Sequence, residues 1–526
     1  MQLRQLGTGV LLTVASSVLF GLAFPPTGWK PLAWLALAPF FVALRSGRGL
    51  RALLLTWLWC LGSAYCIGDW FPKAVASYFH QPMGVALALF FAVFTLMAGP
   101  YYMAFAWAYR ALARHYRLAL PMLAAAAWVG AELGRGRLFT GSAFFIGNPW
   151  GLAGYSQVDW LPLVQIAAVT GVYGISFALV CVNAALAELW IEWRSGGLTL
   201  RHAGLSLALA CLPGLGNAAY GWVALARADT QPLPGVTTQI AIVQGNLSVG
   251  SRWRSDLYGR NLDVYLRLTQ QAAQQGEPRI VFWPEAAMTF FLETDRPYRN
   301  AVARVLEHDD LELVAGGVTV RGDAHPRYYN SIYVLEPDGS IADRYDKQHL
   351  VPFAEYFPLS VDLLRRRFGM IREFTAGASA DPLQTRAGLA GVVVCNETML
   401  PEVVAERVER GAVYLLNPTN DTWITDEKYT EQQFDIAVLR AIEQHRFLVR
   451  VSTAGPSAVI DPWGRAPNRI AAESRDVLLG ELRAIEQRSV YGKVGDLFAF
   501  LSVAAVVAAL AAPRLSRGAG SRPATR

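Results

Sequence analysis

The stretch Gly391-Val392-Val393-Val394-Cys395-Asn396-Glu397 decides how the chain is read. Three β-branched residues after a glycine predict a short buried strand, and Cys395 stands where that strand should end. Pro401 and the run 402–410 then predict the first turns of a helix. A cysteine on a strand-to-helix turn is lifted out of the sheet, where the N–H groups of a helix start would favour thiolate, the nucleophilic form. A lone cysteine is as often a buried core residue, so the remainder of the chain has to separate the two readings.

The 526 residues are 53% hydrophobic, with 16 tryptophans and a mean hydropathy of +0.27, too apolar for an ordinary soluble chain of this length. The net charge of +6 does not point to nucleic acid, because the arginines sit in short clusters between apolar runs, as in membrane loops. Cys60, Cys66, Cys181 and Cys211 fall inside apolar runs, which leaves Cys395 alone in the long polar segment. That segment has no internal disulfide to form and no Cys/His metal spacing; neither metal nor cofactor is expected.

Apolar runs at about 8–24, 32–45, 51–71, 84–109, 118–133, 161–190, 203–225 and 494–512 predict eight membrane helices, the first kept as a helix because Phe24-Pro25-Pro26 makes a poor signal cleavage site. Arg4, the group Arg45, Arg48 and Arg51, the group Arg110, Arg114 and Arg117, and then Arg194 and Arg201 fall on one side. Lys30, Lys73, Arg135 and Arg137 fall on the other. The excess of positive charge places the N-terminus in the cytoplasm and everything from about 226 outside, until the last run returns the chain to a tail with Arg514, Arg517, Arg522 and Arg526. The expected division is 1–228 for seven membrane helices, 235–490 for a globular unit, 494–512 for the last helix and 513–526 for a cytoplasmic tail.

Within the globular unit, strands are expected at 239–244, 279–283, 311–320, 331–336, 340–344, 391–394, 412–417, 447–452 and 458–462. Helices are expected at 257–275, 299–308, 400–410 and 427–445, an alternation that argues a layered α/β domain.

A nucleophilic cysteine needs a proton acceptor and donors for the oxyanion it creates. Glu285 qualifies as a base: Pro284 ends the strand just before it, and apolar neighbours would raise its pKa. The alternative is an ordinary glutamate at a helix start. Lys347 ends another strand, and only five of the 47 basic residues are lysines; a solvated surface lysine is the plain alternative. His349 would share a strand face with Lys347 and is the rival base. Glu355 stands among aromatics in Pro352-Phe353-Ala354-Glu355-Tyr356-Phe357-Pro358.

Trp283-Pro284-Glu285, Asp346-Lys347-Gln348-His349-Leu350-Val351-Pro352-Phe353-Ala354-Glu355-Tyr356 and Val394-Cys395-Asn396-Glu397 resemble the Glu-Lys-Cys signature of the carbon-nitrogen hydrolase (nitrilase) superfamily. With the helices around it, the chain is similar over nearly its full length to the apolipoprotein N-acyltransferase family. Gln244-Gly245-Asn246, Asn330-Ser331, Asn148-Pro149-Trp150 and the run from Asn417 to Trp423 add to the likeness. Asn396, where many members carry an aromatic, and the run Ser452-Thr453-Ala454-Gly455-Pro456 depart from it.

The resemblance implies an eight-helix α-helical membrane bundle carrying a periplasmic nitrilase-like αββα sandwich in the bacterial inner membrane. It implies Cys395 as nucleophile, Glu285 as general base, Lys347 as the cation beside the oxyanion and Glu355 as the residue that orients them. The N–H after Cys395 would be the second oxyanion donor, Glu397 would support the loop, and Trp253, Asn330, Glu397 and Trp423 would meet the substrate. The implied reaction moves an acyl chain from a phospholipid, through a cysteine thioester, to the α-amino group of a diacylglyceryl-cysteine apolipoprotein, and a monomer is expected. Two other readings stay open: a membrane-tethered amidase that hands the acyl group to water, and a lipid-binding or transport module with an inactive nitrilase domain.

Overall fold

Apolar sequence dominates as far as residue 230, and in the computed structural model its described residues form mainly helices. The structure describes residues 2–47, 49–138, 149–231, 233, 235–247, 258–322, 324–352, 354–356, 373–424 and 426–519. The helices are α1 (Gln2–Leu22), α2 (Ala38–Ser46), α3 (Leu50–Gly68), α4 (Trp70–Tyr78), α5 (Met83–Met97), α6 (Gly99–Leu112), α7 (Leu120–Arg137), the short α8 (Leu161–Val164) and α9 (Ala167–Thr170), α10 (Val172–Arg194) and α11 (Leu200–Thr230).

Among the described residues α3, α10 and α11 are long and apolar enough to cross a membrane, and α5 with α6, bent by 47°, forms a fourth path if the pair is one span. Shorter apolar helices cover Gly7–Leu22, Leu161–Thr170 and Leu497–Pro513. The expected eight spans are therefore not matched one for one by long helices, and the breaks have local causes. Run 32–45 is divided into a 3-10 turn, Lys30–Trp34, and the nine-residue α2, each with proline in its first turn. Run 161–190 is interrupted at Gly171, whose φ of +64° only glycine adopts freely and where an added Cβ would meet the Tyr491 ring at 2.6 Å. Helix α7 carries Glu132, Arg135 and Arg137 within its 18 residues.

After residue 236 the chain changes character. β1 (Thr237–Gln244), α12 (Tyr258–Gln275), β2 (Ile280–Phe282), α13 (Arg296–His308), β3 (Glu312–Arg321), β4 (Arg327–Leu335) and β5 (Ile341–Asp346) build the first half of an α/β domain. β6 (Leu383–Thr385), β7 (Gly388–Val392), α14 (Pro401–Glu409), β8 (Tyr414–Thr419), α15 (Glu427–Gln444), β9 (Leu448–Ser452), β10 (Ser457–Ile460), β11 (Arg469–Ile470) and β12 (Asp476–Arg483) build the second. A short α16 (Val490–Val494) and α17 (Leu497–Ala519) end it.

Two six-stranded sheets form, in the orders β12-β1-β2-β3-β4-β5 and β11-β10-β9-β8-β7-β6. Their centres are parallel, β1 with β2 and β3 in one sheet and β7 with β8 and β9 in the other, and antiparallel strands flank them. Parallel strands need both faces covered. The inner faces meet through Ile240, Ile242, Phe282 and Val314 against Val392, Val394, Leu416 and Val449. α12 and α13 cover the outer face of the first sheet through Leu262, Leu268, Val302 and Leu306. α14 and α15 cover the second, and there the core runs on without a gap into the membrane helices. The result is the αββα layering the resemblance implied, with α15 pressed on both sides.

The strand expected at 391–394 lies at Gly388–Val392. It stops early because the Val394 N–H leaves the ladder for the Glu397 carboxylate. β6, β11 and β12 were not expected: two are three residues or shorter, and β12 opens and closes on charged residues.

Candidate active site

Three strand ends, two in the first sheet and one in the second, each lead into one of the expected side chains. β2 runs into Trp283, Pro284 and Glu285, and Gly316 of the neighbouring β3 lets that turn lie close: a Cβ there would sit 2.6 Å from the Glu285 Cα. β5 ends at Asp346, and Lys347 follows, its N–H donating to Asn330 O at 2.8 Å. β7 leads to Cys395 at the start of a single 3-10 turn, Cys395–Met399. Glu285, Lys347, Glu355 and Cys395 are 6%, 1%, 9% and 3% exposed. The solvated-lysine and helix-start alternatives therefore do not describe this fold.

Lys347 Nζ lies 2.8 Å from Glu355 Oε2 and 3.7 Å from Glu285 Oε1. Asn330 bridges the two carboxylates, its amide nitrogen donating to Glu285 Oε1 at 2.6 Å and to Glu355 Oε1 at 2.9 Å. The remaining Glu285 oxygen accepts the Asn420 N–H at 2.8 Å, and Glu355 Oε2 accepts that of Val351 at 2.8 Å. Two carboxylates and one cation are thus held with little freedom, as a buried charge cluster requires.

Burial pushes the Glu285 carboxyl up, and the Glu355 charge adds to this against the opposing pull of Lys347. For Lys347 burial works toward neutrality, but Glu355 and Glu285 outweigh it and hold the ammonium charged. Burial, then the Glu285 charge, pushes the Cys395 thiol well above its ordinary value despite Lys347. This corrects the expected helix-start thiolate. The α-helix begins only at Pro401, after the 3-10 turn, and desolvation decides the proton's place. Burial therefore favours the protonated form of both Cys395 and Glu285.

Both turns that carry these side chains hold a non-glycine residue at positive φ, Ala286 at +55° and Cys395 at +50°. Such conformations cost about 1–3 kcal/mol and persist where the surroundings enforce them. Around Cys395 the surroundings are explicit. Asn417 Nδ2 donates to Val393 O at 2.7 Å and to Cys395 O at 3.3 Å, and Glu397 Oε2 accepts the Val394 N–H at 2.7 Å. The Asn396 N–H falls in the first turn of the short helix, where backbone donors lack intrahelical acceptors.

The expected substrate contacts divide. Glu397 is fully buried, with its oxygens engaged by Val394, Gln348 and His349 N–H groups and by the Tyr345 hydroxyl, so it supports the loop and does not face substrate. Asn330 commits its amide N–H groups to the two glutamates. Trp423 is half-buried, its ring 6.3 Å from that of Tyr78 on α4 and 5.9 Å from that of Tyr429 on α15. Trp253 lies outside the described residues. His349 enters the site through its backbone N–H on Glu397.

Sequence reasoning missed the membrane half's share of the site. The Tyr78 hydroxyl feels the Glu355 charge, and Trp150 stacks on Tyr429 at 5.5 Å and 8° while donating to Gln432 at 2.6 Å. Tyr429 in turn feels the charge of Cys395. The Asn148-Pro149-Trp150 stretch was the available signal for Trp150; Tyr78 offered none.

Residues 16–185 match the model of the apolipoprotein N-acyltransferase N-terminal domain, and residues 239–489 match that of the carbon-nitrogen hydrolases. An apolipoprotein N-acyltransferase of Geobacter metallireducens is 32% identical over 514 residues, covering 96% of this chain and 96% of its own. The chain belongs to the apolipoprotein N-acyltransferase family. A second member, from Gloeobacter violaceus, is 30% identical over 99% of this chain and 97% of its own. Among solved structures, a carbon-nitrogen hydrolase from Helicobacter pylori G27 aligns with 47% of this chain and 89% of its own at 17% identity, with a TM-score of 0.38. As a member of the family the chain is an acyltransferase whose catalytic half is a carbon-nitrogen hydrolase domain.

Proposed function

We propose that this chain N-acylates lipoproteins in two steps that share one buried site. Cys395 Sγ attacks an ester carbonyl of a phospholipid. The S–C bond forms, the thiol proton passes to Glu285, and as the ester C–O bond breaks Glu285 returns that proton to the departing lysophospholipid oxygen. The α-amino group of a diacylglyceryl-cysteine apolipoprotein then attacks the thioester. Its proton goes to Glu285, the C–S bond breaks, and the thiol is restored. Lys347 Nζ and the Asn396 N–H stabilise the oxyanion of each tetrahedral intermediate. Glu355, bonded to Lys347 at 2.8 Å, aims the ammonium.

The observation that carries this reading is the convergence of Glu285, Lys347 and Cys395, each from a different strand end, with Tyr78 and, through Tyr429, Trp150 of the membrane half drawn to the same cluster. A hydrolase of small amides has no use for such a wall, whereas an acyl donor drawn from a bilayer does. We place eight membrane crossings around it, with the catalytic domain in the periplasm, on the charge asymmetry of the loops.

The test is the intact mass of the protein after incubation with labelled phospholipid. A single acyl adduct should form on Cys395 and disappear when an N-terminal diacylglyceryl-cysteine peptide is added, with N-acyl peptide as product. Cys395→Ala should lose adduct and product together while remaining folded. Near-normal N-acylation by Cys395→Ala overturns the mechanism, and release of free fatty acid without N-acyl peptide replaces it with hydrolysis.

A further inference from the structure

Behind the Cys395 turn lies a buried cation that neither acyl-transfer step uses. Arg407, on α14, is wholly inaccessible. Its Nε donates to the carbonyl of Val392, the last residue of β7, at 2.9 Å. One terminal nitrogen donates to the Tyr345 hydroxyl at 2.8 Å and to Gln348 Oε1 at 2.7 Å. The guanidinium carbon stands 5.2 Å from the Tyr345 ring centroid, which adds a cation–π contact away from water.

Tyr345 passes this contact on. Its hydroxyl donates to the Glu397 oxygens at 3.0 and 3.1 Å. Burial, and then the Glu397 charge, keep the phenol protonated and therefore a donor. Glu397 Oε1 also accepts the N–H groups of Gln348 and His349, each at 2.9 Å, and Oε2 accepts that of Val394. One carboxylate therefore ties the backbone just after Lys347 to the backbone just before Cys395, and Arg407 holds that carboxylate through Tyr345 while gripping the end of β7 directly.

We propose that Arg407 and Tyr345 are positioning residues for acyl transfer, a clasp that fixes the Lys347 ammonium against the Cys395 turn by bracing Glu397 across the two strand ends. Neither touches substrate. Their effect is geometric, and it matters because a displacement of about 1 Å in a reacting pair can cost on the order of 100-fold in rate. The clasp also explains why α14 needs a fully buried arginine on its sheet-facing side: lysine would supply the charge without the fork that reaches Val392, Tyr345 and Gln348 at once.

This inference rests on thioester formation at Cys395. The experiment is single-turnover acyl-enzyme formation by the full-length protein in detergent micelles with labelled phospholipid, in which amplitude counts folded sites and the rate constant reports their geometry. Tyr345→Phe keeps the ring beneath Arg407 and deletes the hydroxyl. We expect its amplitude to stay near that of the parent and its rate constant to fall by about 10- to 100-fold. A rate constant within twofold of the parent overturns the clasp, whatever the amplitude. If Tyr345→Phe shows no amplitude, Gln348→Ala decides, since it removes one Arg407 acceptor and leaves the phenol in place: a slowed rate supports the proposal, and an unchanged rate or lost amplitude assigns these residues to folding alone and overturns it. A parent protein that forms no adduct refutes the acyl-transfer reading itself, which separates the two failures.

Discussion

Glu285 and Cys395 share one difficulty, burial, and solve it with one proton. The thiol is pushed well up and so is the carboxyl, because burial penalises the charged form of each and their two negative charges would repel. Glu285→Gln keeps the bonds to Asn330 and Asn420 in outline and removes the base, and should slow acyl-enzyme formation by about two to four orders of magnitude. His349→Gln should stay within a few-fold of the parent, since His349 acts through its backbone; a dead His349→Gln beside an active Glu285→Gln would reverse the assignment. The pH profile tests the cluster further. The rate should rise with pH as Glu285 ionises, above the ordinary carboxylate range. In Glu355→Gln the neighbouring negative charge that helps to raise Glu285 is gone, so this acid limb should move to lower pH while the plateau falls. A limb that stays in place or moves up contradicts the coupling.

At the scale of elements, the site depends on short strands whose ends are exact in register though their lengths are modest. β2 has three residues and is kept straight by two parallel neighbours, β1 and β3. The β6–β7 hairpin is joined to the first sheet by Glu312 at the start of β3, whose carboxylate accepts the Arg386 N–H at 3.0 and 3.1 Å. Burial pushes Glu312 from 4.5 up to about 7 in spite of that bond. The folded chain therefore holds this proton more tightly than the unfolded one, and stability should decline as pH rises from about 4.5 to about 7 and then level off. Glu312→Gln, which cannot ionise, should remove that decline, about 3 kcal/mol in all. Thermal unfolding in detergent between pH 5 and 8 measures it, and a parent whose stability rises across that interval would refute the shift.

The whole molecule is two halves with a shared core. α15 lies between the second sheet and the membrane helices, and its polar residues are used on the membrane side: Gln432 with Trp150 and the Glu443 carboxylate with the Val172 N–H at 3.0 Å. Lys428 reaches Asp69 at 2.6 Å, and Lys73 reaches both Asp69 at 2.7 Å and Asp426 at 3.1 Å, pinning α4 beside the start of α15. Half-exposed pairs of this kind contribute little each, so the aromatic and buried contacts carry the docking. Orientation in the bilayer is a separate matter, which the charge count addresses. A reporter active only outside the cytoplasm should work when fused near Gly235 and stay silent when fused after Arg514. The opposite pattern would place Cys395 in the cytoplasm.

Local sequence alone determined that Glu285, Lys347 and Cys395 stand at strand ends, because a proline stop, a hydrophobic run and a strand's length are properties of neighbouring residues. It likewise pointed to apolar helices in the first part of the chain and to layered α/β structure after them, and the described residues have both. The proton on Cys395 was not legible there. A helix start predicted thiolate, whereas burial is set by side chains distant in sequence that meet only in the folded state. Nor was the bridge from Asn330 to Glu285, 45 residues apart, or the approach of Tyr78 and Trp150 from the membrane half. Span lengths also belonged to the tertiary level: apolar composition marks a run, but proline and a left-handed glycine decide where its helix breaks, and packing decides whether the broken pieces still form one layer.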